Sequence, residues 1–212
     1  MTKLVVVRHG QSLWNLENKF TGWTDVDLSE KGIEEAKSAG LLLKEKNYTF
    51  DVAYTSKLLR ANRTLNIILD ELNVKVPIHY SYKLNERHYG GLQGLNKSDA
   101  AKEFGAEQVK LWRRSYDVRP PKSNIPNINE PNGESLKDTY YRVKDYYIKT
   151  IKHELKNQKN VLIVAHGNSL RALAKYLLDL SDDAIIDFEI PTGKPLVFEL
   201  NDKLKVEKYY YL

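Results

Sequence analysis

The chain has 212 residues, a formal net charge of +5 and no cysteine, which excludes a disulfide framework and a thiolate metal site and suits a reducing, cytoplasmic setting. That length supports one substantial core and is short for two. Its apolar runs all stop well short of the roughly twenty residues of a membrane span, the first being broken by Arg8, so no membrane partner is expected.

The basic balance admits nucleic acid as a partner. However, the lysines are interleaved with acidic residues along helical stretches, and there is no zinc finger, aromatic RNA-binding pattern or long basic arm. No nucleic acid is expected; a small anionic ligand is the sharper reading of the charge.

In chain order, Leu4-Val5-Val6-Val7 reads as a fully buried strand, because none of its residues alternates with a polar one. Arg8, His9 and Gly10 follow at its carboxyl end, where open α/β sheets place their ligands. The polar stretch from Ser12 to Trp23 holds small donors suited to phosphate oxygens. Ser29 caps a helix with the stripe Ile33, Ala36, Ala39, Gly40 and Leu43. Phe50 to Tyr54 is a second strand. Ser56 is expected to cap the next helix, and Arg60 lies one turn in, off its apolar stripe. Val76 to His79 is a short strand, placed at an edge by Pro77.

Leu84 to Gly94 combines charged and aromatic residues with three glycines, which predicts a shaped loop. Glu86 is its candidate proton-transfer group; the alternative is an ion pair to Arg87. Two short helices follow, Lys97 to Phe104 and Ala106 to Tyr116, with the cationic pair Arg113 and Arg114 near the end of the second. Residues 117–133 are rich in proline and asparagine and predict a lid or rim loop. Glu134 to Leu155 is a long helix.

Val161 to Ala165 then repeats the opening device, a buried strand ending in His166-Gly167-Asn168-Ser169. A helix follows, then a short helix capped by Ser181, then two strands around Asn201 and Asp202. The alternation predicts a single-domain α/β fold over residues 1–212, a mostly parallel central sheet with helices on both faces. If the two histidine strands are neighbours, both imidazoles reach the same sheet edge. A two-histidine metal site is the rival reading, but no acidic residue adjoins either histidine, so no metal is expected.

Together these motifs resemble the histidine phosphatase superfamily and, in more detail, its cofactor-dependent phosphoglycerate mutases. The resemblance rests on Arg-His-Gly-Gln-Ser-Leu-Trp-Asn at 8–15, Phe-Thr-Gly-Trp at 20–23, Leu-Asn-Glu-Arg-His-Tyr-Gly-Gly-Leu-Gln-Gly-Leu-Asn-Lys at 84–97, Trp-Arg-Arg at 112–114, Ala-His-Gly-Asn-Ser-Leu-Arg at 165–171 and Ile-Pro-Thr-Gly at 190–193. It implies a phosphoglycerate mutase-like fold. The implied activity is interconversion of 3- and 2-phosphoglycerate in glycolysis and gluconeogenesis, primed by 2,3-bisphosphoglycerate.

By resemblance His9 takes the phosphoryl group, Glu86 moves the proton, and Arg8, Arg60 and His166 surround the transferring group. The ligand-lining positions it implies are Arg8 to Asn15 (Arg8, His9, Gly10, Gln11, Ser12, Leu13, Trp14 and Asn15), Thr21, Gly22, Arg60, Glu86, Gly167 and Asn168. Arg87, His88, Tyr89, Lys97, Arg113 and Arg114 would hold the rest of the phosphoglycerate. A phosphatase or a bisphosphoglycerate synthase of the same superfamily is the alternative, and a non-catalytic phospho-ligand module is the rival from another class. A homo-oligomer is left open.

Overall fold

The computed structural model describes all 212 residues. The chain runs β1 (Thr2–Arg8), α1 (Leu13–Leu16), α2 (Glu30–Glu45), β2 (Val52–Thr55), α3 (Leu59–Leu72) and β3 (Ile78–Tyr80). It continues with α4 (Lys97–Phe104), α5 (Ala106–Arg114), α6 (Leu136–Tyr146), α7 (Lys152–Lys156), β4 (Val161–Ala165), α8 (Gly167–Leu178), β5 (Leu196–Leu200) and β6 (Val206–Tyr211). All six strands form one sheet of order β3-β2-β4-β1-β5-β6. β1 to β4 are mutually parallel, while β5 and β6 join antiparallel at one side. The α/β expectation holds, with β3 at the sheet edge as Pro77 predicts.

Side-chain alternation along the strands divides the core into two layers. Leu4, Val6, Val161 and Ile163 pack with Val143, Leu170 and Leu173 of α6 and α8. Val5, Val7, Leu162 and Val164 pack on the other face with Ala39, Leu43, Leu65 and Ile68 of α2 and α3. Each fully buried aliphatic side chain of this kind contributes about 1.5–3 kcal/mol of burial energy.

The register decides where the chemistry sits. β1 and β4 are neighbours, with Leu4 opposite Val161 and Arg8 opposite Ala165. His9 and His166 therefore leave the sheet at the same level, and their rings lie 5.0 Å apart between centroids. The turn after β1 passes so close to α2 that a Cβ at Gly10 would lie 2.1 Å from the Gly32 carbonyl oxygen. Only glycine fits there.

Three expectations change. Ser56 does not cap α3, whose N-cap is Leu58 without a side-chain bond. Its hydroxyl instead accepts from the Leu58 N–H at 3.2 Å and bonds His166 Nε2 at 2.7 Å, because the β2 end lies against the β4 end. The long helix is interrupted by a π-helical turn, Tyr147–Ile151, that turns Tyr147 and Ile151 into the core. Short helix α1, closed by a capping box between Ser12 and Asn15, occupies what reads as an irregular polar stretch.

The 117–133 segment forms no regular element and is tied back against the Glu86 loop. The Gly91 N–H donates to the Pro121 carbonyl at 2.7 Å, and Ser123 and Asn132 bond each other across the segment at 2.8 and 3.2 Å. Ile125 and Ile128 remain exposed.

Candidate active site

The sheet edge at β1 and β4 opens into a cavity of about 250 Å³. Its walls carry seven cationic side chains, from Arg8, Lys19, Arg60, Lys97, Arg113, Arg114 and Arg171, against the two carboxylates of Glu86 and Glu189. His9, Asn15, Phe20, Thr21, Gly22, Tyr89, Gly167, Asn168 and Ile190 complete the lining. Such a concentration of positive charge in a concave site is suited to a multiply charged anion.

His9 is buried, and its Nδ1 lies 2.6 Å from the Gly10 carbonyl oxygen. A carbonyl only accepts, so Nδ1 carries the proton and Nε2 holds the free lone pair. Burial, then Arg60, then Arg8 push His9 well below the ordinary histidine range, against the raising effect of the Gly10 hydrogen bond. The imidazole is thus held toward its neutral form, with the lone pair on Nε2, the state in which an imidazole can act as a nucleophile.

His166 is also pushed well down, by burial first, then Arg60, then His9. It is neutral in this arrangement, where its sequence context allows a charged imidazolium. Its Nδ1 and the Nε of Arg8 are buried without a protein partner. Buried polar atoms left unpaired at a functional site are the kind that an anionic ligand satisfies.

Arg60 is 1% exposed, not the solvated helical arginine its position off the stripe allows. Its guanidinium donates to the Gly22 and Thr24 carbonyls at 2.7 and 2.9 Å. Burial draws it down to about 10, so it stays charged at neutral pH. Arg8 is held by a 3.0 Å bond to the Ile190 carbonyl. Both cations are therefore oriented by backbone, which keeps their charge available to a ligand.

Glu86 makes no ion pair with Arg87. Its Oε1 accepts from the backbone N–H groups of Arg87 at 2.8 Å and Asn168 at 3.0 Å. Asn168 lies in the first turn of α8, so the carboxylate sits at a helix N-terminus, where negative charge is favoured. Lys97 is lowered to about 8, by burial first, then by Arg113 and Arg8. Crowded, desolvated cations of this kind gain most from an anionic partner.

Several sequence candidates lie off the cavity. Gly10, Gln11, Ser12, Leu13 and Trp14 belong to the turn after β1 and to α1 and do not line it. Arg87 is buried, and its guanidinium is engaged by the Glu134, Trp112 and Val118 carbonyls at 2.6, 2.7 and 3.3 Å. His88 pairs with Glu130 at 3.1 Å and accepts from the Gly90 N–H at 2.9 Å. No residue of 117–133, the expected lid or rim, lines the cavity; the segment is tied to the loop after Glu86 instead.

Lys19, Arg171 and Glu189 line the cavity without having been singled out as site residues. Arg171 follows Gly167 by four positions, which places both on one helix face, a signal the sequence does contain. Glu189 contacts Arg114 across the mouth. No group of three or more His, Cys, Asp or Glu side chains is arranged to hold a metal ion, and no helix is long and apolar enough to cross a membrane.

Comparison with known proteins places this geometry in context. The model of the histidine phosphatase superfamily (branch 1) matches residues 4–210. Among solved structures, the α-ribazole phosphatase from Shigella flexneri is 26% identical, with a TM-score of 0.78 over 96% of this chain and 95% of its own. The mycobacterial glucosyl-3-phosphoglycerate phosphatase solved with VO3 is 22% identical, with a TM-score of 0.80 over 100% of this chain and 97% of its own. YhfR from Bacillus stearothermophilus is 24% identical, with a TM-score of 0.78 over 98% and 96%. The two lower identities speak to the fold alone. With a family match spanning nearly all its length and two neighbouring histidines at the sheet edge, the chain belongs to the histidine phosphatase superfamily, branch 1.

Proposed function

We propose that this protein moves the phosphoryl group of phosphoglycerate through a phosphohistidine at His9, interconverting 3- and 2-phosphoglycerate as a cytoplasmic isomerase of glycolysis and gluconeogenesis. The observation that carries the reading is the cationic group Lys97, Arg113 and Arg114, which lines the cavity in addition to Arg8 and Arg60. One phosphoryl group does not need five such cations; a substrate with a second anionic group does. That group would be the carboxylate of phosphoglycerate.

Phosphoryl transfer depends on in-line positioning and on positive charge around the equatorial oxygens. His9 Nε2 attacks phosphorus, and the bond from phosphorus to the ester oxygen breaks. Glu86, in its protonated form, supplies a proton to the departing oxygen. Arg8 and Arg60 hold the phosphoryl oxygens, and His166, its Nε2 bonded to the Ser56 hydroxyl, presents its unpartnered Nδ1 as a neutral donor to them. For return transfer, Glu86 removes the proton of the incoming hydroxyl, which attacks the phosphohistidine. The cationic lining of Arg8, Arg60, Lys97, Arg113 and Arg114 would hold 2,3-bisphosphoglycerate, which would supply the priming phosphoryl group. No step calls for a metal ion.

The second reading is a phosphatase, in which water takes the place of the incoming hydroxyl. Two of the three structural neighbours are named as phosphatases, and by similarity they support this reading better than the mutase. One of them is named for glucosyl-3-phosphoglycerate, which carries a carboxylate beside its phosphate and so agrees with the cation set here. Which acceptor the phosphohistidine meets depends on how far water is excluded from the site, and residues 117–133 add no wall to the cavity.

The deciding experiment supplies 3-phosphoglycerate and a chelator, with and without trace 2,3-bisphosphoglycerate, and follows 2-phosphoglycerate and free phosphate together. Isomer formation that depends on the trace ester and ignores the chelator is expected. Free phosphate without isomer would replace the mutase by the phosphatase. Neither product would remove phosphoglycerate as the substrate.

A further inference from the structure

The proton-transfer group is held in place by a buried ion pair that lies outside the cavity. Glu134 and Arg142 face each other with Nε to Oε2 at 2.8 Å and Nη2 to Oε1 at 2.9 Å, their side chains 6% and 10% exposed. The guanidinium also donates to the Lys83 carbonyl at 2.8 Å and the Glu86 carbonyl at 2.9 Å. The Trp23 indole N–H donates to that same Glu86 carbonyl at 2.6 Å.

Glu134 grips the other side of the loop. Its Oε1 accepts from the His88 N–H at 2.9 Å, and its carbonyl accepts from Arg87 Nε at 2.6 Å. Its own N–H donates to the His88 carbonyl at 2.7 Å. The pair thus fastens the chain at residues 83, 86, 87 and 88, on both sides of the carboxylate that moves the proton. A capping box between Ser135 and Asp138 fixes the start of α6, which carries Arg142.

Burying an ion pair is a poor way to gain stability, because desolvation offsets most of the attraction. A planar guanidinium with five donors does something an apolar pair does not: it reaches two loop carbonyls and a carboxylate at fixed angles. Neither residue lines the cavity, so any effect on the reaction is indirect, and the shortest route is the Glu86 backbone that Arg142 holds.

We propose that Glu134 and Arg142 are positioning residues for Glu86, setting the place from which it delivers and removes its proton. The proposal rests on the phosphoryl-transfer reading and holds for mutase and phosphatase alike.

The test separates proton delivery from general disorder by changing the leaving group. An alkyl ester such as 3-phosphoglycerate needs a proton on its departing oxygen, whereas p-nitrophenyl phosphate releases a stable anion without one. Each ester is reacted in single turnover with enzyme in excess, so that only formation of the His9 phosphoenzyme is followed. Glu86→Gln sets the reference pattern of a slow alkyl ester and a near-normal aryl ester. Arg142→Met, Arg142→Lys and Glu134→Gln are expected to slow the alkyl ester by about tenfold to a hundredfold and the aryl ester by less than about twofold. If Arg142→Met does not fold, Arg142→Lys and Glu134→Gln carry the comparison, each checked for an intact melting transition.

Equal slowing of both esters would make the pair a general structural tie, and no slowing of either would show that Glu86 is placed without it; both overturn the proposal. Failure of the wild-type protein to label with either ester would instead overturn phosphoryl transfer itself.

Discussion

Arg8-His9-Gly10 and Ala165-His166-Gly167 end two neighbouring parallel strands, yet the two histidines are prepared for different work. After β1 the chain turns away into a loop, and the His9 ring donates through Nδ1 to the Gly10 carbonyl, leaving Nε2 free. After β4 the chain enters α8 directly. The His166 backbone becomes its N-cap, bonding to Ser169 Oγ at 3.1 Å, and its Nε2 is engaged by Ser56. The local backbone and neighbours thus leave a different ring nitrogen free in each, Nε2 of His9 and Nδ1 of His166, and the proposed nucleophile is the first. The histidine-glycine pair alone does not choose it.

The largest effect should come from exchanging the two roles. His9→Asn is expected to remove acid-labile labelling and to lower turnover by about 10⁴-fold or more, since no other group is placed to attack phosphorus. His166→Asn should keep the label at residue 9 and lower turnover by about 10²–10³-fold, the cost of losing one stabiliser of the transition state. Label that survives in His9→Asn, found at His166 by peptide mapping, would reverse the assignment.

The glycines after the two histidines should separate next. A Cβ at Gly10 meets backbone, the Gly32 carbonyl oxygen at 2.1 Å, whereas a Cβ at Gly167 meets the Arg8 side chain at 3.2 Å. Gly10→Ala is expected to destabilise the fold by about 3 kcal/mol through overpacking. Gly167→Ala should leave the denaturation midpoint nearly unchanged, because alanine suits a helix better, while turnover falls as Arg8 is displaced. Equal losses of stability in the two variants would contradict the distinction.

The smallest expected effect is a dependence of stability on pH. Burial, the leading cause in each case, depresses His9, His88 and His166 in the folded state. The unfolded chain takes up protons below about pH 6.5 that the folded chain does not, so stability falls as pH drops from there. Near pH 6.5, where each unfolded imidazole is half protonated, the slope is about half of the limiting ~1.4 kcal/mol per pH unit for a histidine whose folded form stays neutral. Denaturant titrations between pH 7.5 and 5.5 check this, and His9→Asn should reduce the slope. A flat profile would mean that the imidazoles are not held neutral.

Most of the sheet was legible because its signals are local. Four apolar residues before Arg8, the echo before His166 and the stripes of α2 and α3 need only the strand and helix periods to be read. The helix starting at Leu13 was missed because four residues carry no periodicity. The burial of Arg60 was equally hidden, since its partners, the Gly22 and Thr24 carbonyls, lie nearly forty positions away. Arg87 reads as a ligand-binding cation in its motif, but three carbonyls from distant segments converge on its guanidinium.

The amino-acid sequence by itself determined the α/β alternation, the two histidine-bearing strand ends and the residues able to attack, protonate and neutralise, because each is written in a short run of neighbouring positions. Only the tertiary structure decided that β1 and β4 are adjacent, that Nε2 of His9 is the free nitrogen and that Arg87 and Arg142 serve the loop around Glu86. Those outcomes depend on which carbonyls and amides meet across the fold, and a hydrogen bond between distant residues leaves no pattern along the chain.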